Sequence, residues 1–354
     1  MTNKPKISVI IVHYNTPHFL KTCLNAIFGQ TYENIEVIFI DNNSPDKDGL
    51  EFVKNTYSNN AEIRNNKPLI VIDNAENLGY AKAANQGIKL AMKNDADFLV
   101  ITNPDIIYTP EYFEKIIERI EKDPSIASIT GKVYKYDFAN QKPTNIIDTV
   151  GLFAYKNRRV IDDGQGVEDI GQFDEEQEVF GISGACPLYR KNALVDVKIG
   201  DEYLDENFFM YKEDVDLSWR FLLFGWKNLF YPKAIAYHGR GTGVMRRFTS
   251  KEVMENRKNL SEFQKKYSFR NQLLMEIKNE LPGNFFKDIF QILGRKILMF
   301  GYMTIFEPYL WGSFYGFLKL LPSTLKKRAE IMKRKKSSSK HMSKYFGNKS
   351  KYEK

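Results

Sequence analysis

Three hundred and fifty-four residues, 43% of them hydrophobic and 14% aromatic, suffice to bury a sizeable core and exclude a chain disordered throughout. Two cysteines, Cys23 and Cys186, neither in a CxxC spacing, exclude a disulfide scaffold and a cysteine zinc site. The net charge of +8 is mostly tail: residues 322–354 hold twelve Lys or Arg against Glu330 and Glu353, so residues 1–321 carry −2, which disfavours a basic groove within the fold.

The polar start, Met1–Lys6, and the short apolar run Ile7–Val12 carry no readable secretion signal, and a cytosolic active site is expected. Strand and helix signals then alternate. Strands are predicted at Ile7–His13, Ile35–Ile40, Pro68–Ile72 and Asp97–Ile101, with helices at Pro17–Phe28, Lys47–Tyr57 and Tyr80–Lys93. Short runs apolar throughout, separated by helices, imply a parallel sheet covered on both faces, with ligand groups at the carboxyl ends of its strands. A helix at Pro110–Lys122 and a strand at Ile126–Val133 follow; residues 137–178 then read as an irregular, polar insertion that could shape a cleft. Beyond Gly181–Tyr189, a helix is predicted from Tyr211 to Phe224, two short strands at Trp226–Tyr231 and Ala234–Tyr237, a flexible loop with glycines at 239, 241 and 243, and a polar helix from Ser250 to about Glu280. Residues 285–321 are aromatic and apolar but broken by Glu307-Pro308 and flanked by charges, a pattern that suits helices lying in a membrane interface beside a basic tail, with a span or re-entrant hairpin and a soluble or oligomer-packing segment as the alternatives.

Five segments carry groups suited to chemistry. Asp41, in Asp41-Asn42-Asn43-Ser44, closes a strand where a carboxylate can accept from a base or ribose, although an Asx-turn explains it equally. Asn77-Leu78-Gly79-Tyr80 opens a helix with room for close approach of a sugar or phosphate, or is only a helix cap; no GxxxxGK[ST] or GxGxxG is present. Asn103-Pro104-Asp105 places a carboxylate at a strand end, fit to hold Mg2+ or Mn2+ against a diphosphate, or to form a turn. Glu213, Asp214 and Asp216 begin a helix after the aromatic run Phe208–Tyr211; they favour the helix dipole, and Asp214 with Glu213 beside it could serve as general base. His238 ends a strand and could ligate a divalent ion, and Arg240, Arg246 and Arg247 could clamp a diphosphate.

In this order, Val9–Asn15, Ile40–Ser44, Asn77–Tyr80, Asn103–Asp105, Gly184-Ala185 and Glu213–Asp216 resemble the inverting glycosyltransferases of family 2, and the resemblance runs from about Ile7 to Gly243. Within that family, the stretch from Asp163 to Gly181 is similar to the rhamnosyltransferase branch. The resemblance implies a GT-A fold, an open mixed α/β sheet of the nucleotide-diphospho-sugar transferases. It implies that Tyr14, Asn15, Asp41, Asn43, Asn77, Gly79, Asn103, Asp105 and Arg240 bind the donor and that Asp105 and His238 hold a divalent cation, Mg2+ or Mn2+. The family's metal motif is commonly Asp-x-Asp, whereas Asn103 stands first here. Asp214 and Glu213 become the catalytic pair, and Gly184, Ala185, Trp219 and Arg220 the acceptor-binding set. The expected organisation is a catalytic domain at 1–249, a helical extension at 250–283, amphipathic membrane-associated helices at 284–321 and a disordered polybasic tail at 322–354.

The donor implied by the branch is dTDP-β-L-rhamnose, with a UDP-hexose or UDP-hexosamine as the alternative, and the acceptor a lipid-linked or growing cell-surface glycan. Peripheral attachment to the cytoplasmic face of the plasma membrane is expected, nucleic acid is not, and a homo-oligomer is left open. Competing readings are a nucleotidyltransferase, which lacks its glycine-rich basic loop after the first strand, and a non-catalytic membrane adaptor.

Overall fold

The computed structural model describes residues 4–239 and 257–352. Strands β1 (Ile7–His13) and β2 (Ile35–Asp41) bury every residue, so each needs cover on both faces, and the intervening helix α1 (Pro17–Phe28) supplies it on one. The same alternation continues through α2 (Asp48–Val53), extended by a π-helical turn, β3 (Leu69–Asp73), α3 (Tyr80–Lys93) and β4 (Phe98–Thr102). Strands β3, β2, β1 and β4 lie side by side and parallel, as the sequence leads one to expect. β3, at the edge, is only half-buried.

Beyond a short β5 (Ile106–Tyr108), α4 (Tyr112–Glu121) and the long β6 (Ile126–Asp137), the insertion is not irregular. It folds into β7 (Lys142–Thr149), β8 (Leu152–Tyr155), β9 (Val160–Asp162) and β10 (Gln177–Val179). Then come β11 (Leu188–Arg190), α5 (Lys191–Val197), α6 (Glu213–Leu223) and β12 (Lys227–His238). The two strands expected at 226–237 are one: Pro232 interrupts the pairing of β12 with β6 between Phe230 and Ile235 without ending the strand. β11 runs antiparallel between β4 and β6 and converts the parallel half into a mixed ten-stranded sheet, with β10 on the far edge.

The helical extension is part of the fold. α7 (Glu262–Asn279) is capped by Ser261 and Gln264 in a capping box and places Asn271, Lys278 and Asn279 in the interior. α8 (Pro282–Lys287), α9 (Ile289–Phe306) and α10 (Trp311–Arg334) follow. α9 is the one helix among the described residues long and apolar enough to cross a membrane, and only Ile292 and Met303 of it are buried.

The tail expected to be disordered is folded through residue 352. α10 continues past Pro322, and α11 (Ser339–Met342) leads to β13 (Phe346–Gly347), which pairs with β8 in a small three-stranded sheet. Its charges explain the order. Lys327 bridges Glu202 and Asp205, both at 2.6 Å, and Arg334 pairs with Glu330 at 2.6 Å while donating to the Lys198 carbonyl, so cations that read as solvated find fixed partners far away in sequence.

Candidate functional site

Two adjoining cavities open where β1, β2 and β4 end. The first, of about 530 Å3, lies between Tyr14, Asn42, Asn77, Gly79 and Asp105, and is closed by Phe209 and the start of α7. Asn42 ties its wall together: its Nδ2 donates to Asn77 Oδ1 at 2.9 Å, and its Oδ1 accepts from Leu78 N at 3.1 Å and from Asn74 Nδ2 at 3.2 Å. The second, of about 630 Å3, is lined by Asp105, Gly184, Ala185, Glu213, Asp214 and His238, and Asp105 and Asn103 face both.

Glu213 and Asp214 are the first two residues of α6, where orphan amide groups favour carboxylates. Asp214 Oδ2 accepts from Gly184 N at 2.9 Å and Oδ1 from Val215 N at 2.8 Å. Burial nevertheless raises the Asp214 carboxyl above the ordinary range, against those bonds and the Lys212 charge. Burial, then the neighbouring Asp214, pushes Glu213 up to about 8, and its Oε2 has no hydrogen-bond partner among the described residues. One member of the pair therefore holds a proton near neutral pH.

His238 sits behind Asp105. Its Nδ1 lies 2.7 Å from Asp148 Oδ2 and its Nε2 3.3 Å from Asp105 Oδ2. Both ring nitrogens thus face a carboxylate, and the Asp148 contact on Nδ1 would hold the ring with Nε2 toward a cation bound at Asp105. Burial lowers the His238 pKa, but Asp148 and Asp105 outweigh it and raise it to about 9, so these carboxylates already favour a positive charge between them. No group of three or more His, Cys, Asp or Glu suited to a metal occurs among the described residues. Two ligands fit a hard divalent cation whose remaining positions fall to phosphate oxygens and water.

The expected residues divide into those at the cavities and those behind them. Tyr14, Asn77, Gly79, Asn103 and Asp105 line the first cavity, and Gly184, Ala185, Glu213, Asp214 and His238 the second. Asp41 does not reach either. Its carboxylate is fully buried and accepts from Ser44 Oγ at 2.5 Å, Lys47 Nζ at 2.8 Å and His13 Nδ1 at 2.9 Å, while His13 Nε2 takes Thr16 N–H at 3.1 Å. Alternation along β2 turns Asp41 inward, and the next residue, Asn42, faces the cavity instead. Asn15 and Asn43 hold turns with φ of 52° and 60° and do not line the cavities.

Trp219 and Arg220 are corrected outright. Both are buried on α6, Trp219 against Phe180 and Phe346, and Arg220 on Asp216 Oδ2 at 3.1 Å and the Val197 and Tyr203 carbonyls. They stabilise the helix from below and cannot touch an acceptor. Arg240, with Arg246 and Arg247, lies outside the described residues. Sequence reasoning gave no role to Asn42 or Asp148, and only Asn42 carried a local signal, its place one residue after a strand-end Asp; Phe209 belongs to the aromatic run expected before α6.

An open mixed sheet with two joined cavities at its strand ends, carboxylates on both and a histidine-backed carboxylate between them, defines a glycosyltransferase of the GT-A type. The chain belongs to glycosyl transferase family 2, whose sequence profile matches residues 8–197. It is 27% identical over 235 residues to the poly-beta-1,6-N-acetyl-D-glucosamine synthase of Staphylococcus aureus (strain COL), covering 65% of this chain and 49% of that protein. The chain thus spans about half the length of the curated relatives it matches. In fold it is similar to S. aureus TarS in complex with UDP (16% identity, TM-score 0.52, 93% of this chain and 88% of that one). It is also similar to a mannosyltransferase from Pyrobaculum calidifontis in complex with GDP-Man and Mn2+ (14% identity, TM-score 0.52, 91% and 76%).

Proposed function

We propose that this glycosyltransferase inverts the anomeric centre in one displacement, with the donor in the first cavity and the acceptor hydroxyl in the second. The observation that carries the reading is that Asp214, Glu213, Asp105 and His238 line one cavity continuous with the pocket of Tyr14, Asn77 and Gly79. Asp214 accepts the proton of the acceptor hydroxyl as its oxygen bonds to the anomeric carbon, and the bond from that carbon to the diphosphate oxygen breaks. Gly184 N–H and Val215 N–H hold the Asp214 carboxylate at a fixed angle toward the cavity. Asp105 and His238 would hold a divalent cation, which would supply positive charge to neutralise a departing nucleoside diphosphate.

Two donors remain. A UDP-linked hexosamine is favoured by the relatives: a synthase named for an N-acetyl-D-glucosamine polymer and a fold neighbour bound to UDP. The dTDP-β-L-rhamnose reading rests on the resemblance of residues 163–181 alone. The acceptor is a cell-surface glycan, met at a membrane that α9 touches through Phe290 and Leu298, which are 87% and 75% exposed. Residues 4–239 form the catalytic unit, and α7 to β13 brace it.

The test is thermal denaturation with Mn2+ or Mg2+ and each of UDP, dTDP, GDP and CDP. A ligand at 100 times its Kd adds about 2.7 kcal/mol. A cation-dependent shift largest with UDP supports the hexosamine donor, one largest with dTDP returns the rhamnosyl donor, and no shift with any nucleotide overturns the proposal.

A further inference from the structure

The turn leading into α6 is strained. Phe209, Tyr211 and Lys212 all have positive φ, at 63°, 70° and 72°, conformations that side chains other than glycine adopt only where the surroundings over-determine them. The surroundings come from α7, more than fifty residues later. Asn271 is fully buried, and its Nδ2 donates to the carbonyls of Phe208 at 2.8 Å, Met210 at 2.8 Å and Tyr211 at 2.9 Å. Two N–H bonds serve three acceptors, one of them shared. The amide cannot turn over, because its oxygen accepts Arg270 Nε at 3.1 Å while Arg270 Nη2 donates to the carbonyls of Asn207 at 2.7 Å and Phe208 at 3.1 Å. Tyr267 stacks on the Phe209 ring at 5.2 Å, and Arg270 covers the Tyr267 ring at 4.6 Å.

The turn holds both cavities. Its last residue, Lys212, is the N-cap of the helix that begins with Glu213 and Asp214, and the Phe209 carbonyl accepts Ala81 N at 3.0 Å at the start of α3, beside Gly79. Met210 N also reaches the Phe208 carbonyl, at 2.7 Å, whereas the carbonyls of Met210 and Tyr211 are taken by the one side-chain amide. We propose that Asn271 is a positioning residue: it fixes the turn at 208–212 and thereby sets where the Asp214 carboxylate points. The inference rests on the reading of Asp214 as the base.

The experiment compares Asn271→Asp, which keeps size and an acceptor but loses the donor group, with Asn271→Ala, with Arg270→Gln, which removes the brace on the amide, and with Asn284→Ala. Asn284 is a buried α8 residue bonded to the Ser339 carbonyl and serves as a destabilised control remote from the turn. Release of UDP from UDP-N-acetylglucosamine with Mn2+ and water as acceptor gives kcat, KM and the pH profile, and hydrogen exchange of residues 207–216 is followed in the same proteins. Both Asn271 variants should lose about 30–100-fold in kcat with less than about fivefold change in KM, a loss on the scale that small misplacement of a reacting group produces. Their acidic limb should move to lower pH as water reaches Asp214, and exchange at 207–216 should rise at least about tenfold. Arg270→Gln should fall between, and Asn284→Ala should keep kcat within about twofold. Asn271→Asp with kcat within about threefold of the parent and unaltered exchange overturns the inference, and so does an equal kcat loss in Asn284→Ala. Should Asn271→Ala fail to fold, Asn271→Asp and Arg270→Gln decide. Should the parent release no UDP, the donor reading falls, while exchange at 207–216 still decides the clamp. Unimpaired turnover in Asp214→Asn removes the base without touching the exchange result.

Discussion

Gly79→Ala tests the junction of the two cavities most directly. Gly79 caps α3 with φ 78° and ψ 161°, a region essentially confined to glycine, so an alanine there costs about 1–3 kcal/mol in backbone strain. The added Cβ would also sit 2.4 Å from Phe209 Cδ2 and 2.7 Å from its Cγ. Restoring an ordinary carbon contact of about 3.5–4.0 Å pushes the ring back by about 1.1–1.6 Å, out of its stack on Tyr267. Overpacking of that kind adds about 1–3 kcal/mol. For a chain of this length the two together lower Tm by about 3–8 °C. A displacement of about 1 Å at the turn that carries Asp214 costs turnover about 10²-fold. Differential scanning fluorimetry and UDP release measure the two effects. Phe209→Leu, combined with Gly79→Ala, should recover part of both losses, because it removes the clash and leaves the strain. A Gly79→Ala protein with Tm within about 1 °C of the parent and full turnover refutes the packing argument, and strictly additive losses in the double variant refute the Phe209 contact.

Asp214→Asn should lower kcat by about 10²–10⁴-fold with nucleotide affinity by calorimetry unchanged; ordinary turnover removes Asp214 as base. Glu213, held at about 8, binds a proton in the folded chain that the unfolded chain releases near 4.5, so stability should fall as pH rises through that window, by up to about 1.4 kcal/mol per pH unit. Urea unfolding of the parent and of Glu213→Gln at pH 5, 6.5 and 8 checks this, and equal slopes would contradict it. Asp216→Ala should cost about 3–5 kcal/mol, because it leaves the buried Arg220 and Lys278 without their shared carboxylate; a Tm unchanged to within about 1 °C would show that the network contributes nothing. Phe290→Ser with Leu298→Ser should reduce sedimentation with phosphatidylglycerol vesicles at least about tenfold and leave Tm unaltered, whereas retained sedimentation places the membrane contact elsewhere.

The parallel half of the sheet was legible because β1, β2 and β4 are apolar at nearly every position and are separated by helices with a single buried face. The insertion was not, because β7 reads Lys-Pro-Thr-Asn at its exposed end and pairs with β6 at irregular register, so no periodicity announces it. Asp105, Asp214 and His238 were legible as strand-end or helix-start groups, and their convergence on one cavity follows from the sheet order. Their supports were not: Asp148 reaches His238 across ninety residues, and nothing local marks it. Asp216, Trp219 and Arg220 show the limit from the other side. They share a helix with Asp214, but helical periodicity alone does not say which face meets the cleft, and here theirs meets the core.

Contacts that tie α7 and α10 to α6 decide how membrane attachment is to be tested. Lys278 Nζ meets Asp216 Oδ1 at 2.9 Å and also pairs with Asp205, which Lys327 of α10 holds at 2.6 Å. The last turns of α7 and the middle of α10 are thereby joined to the helix that begins with Glu213 and Asp214. Cutting the chain after Glu280 would remove the α9 apolar face, but it would also take Lys327 from Asp205 and Glu202 and strip Phe346 from Trp219. Loss of membrane binding and loss of turnover would then arrive together, each explicable by unfolding. Exposed side chains on α9 make no such contacts. Substituting Phe290 and Leu298 removes apolar surface from the exposed face of α9 and leaves the ionic network intact, so a protein that stays folded and active but no longer sediments would separate the two roles.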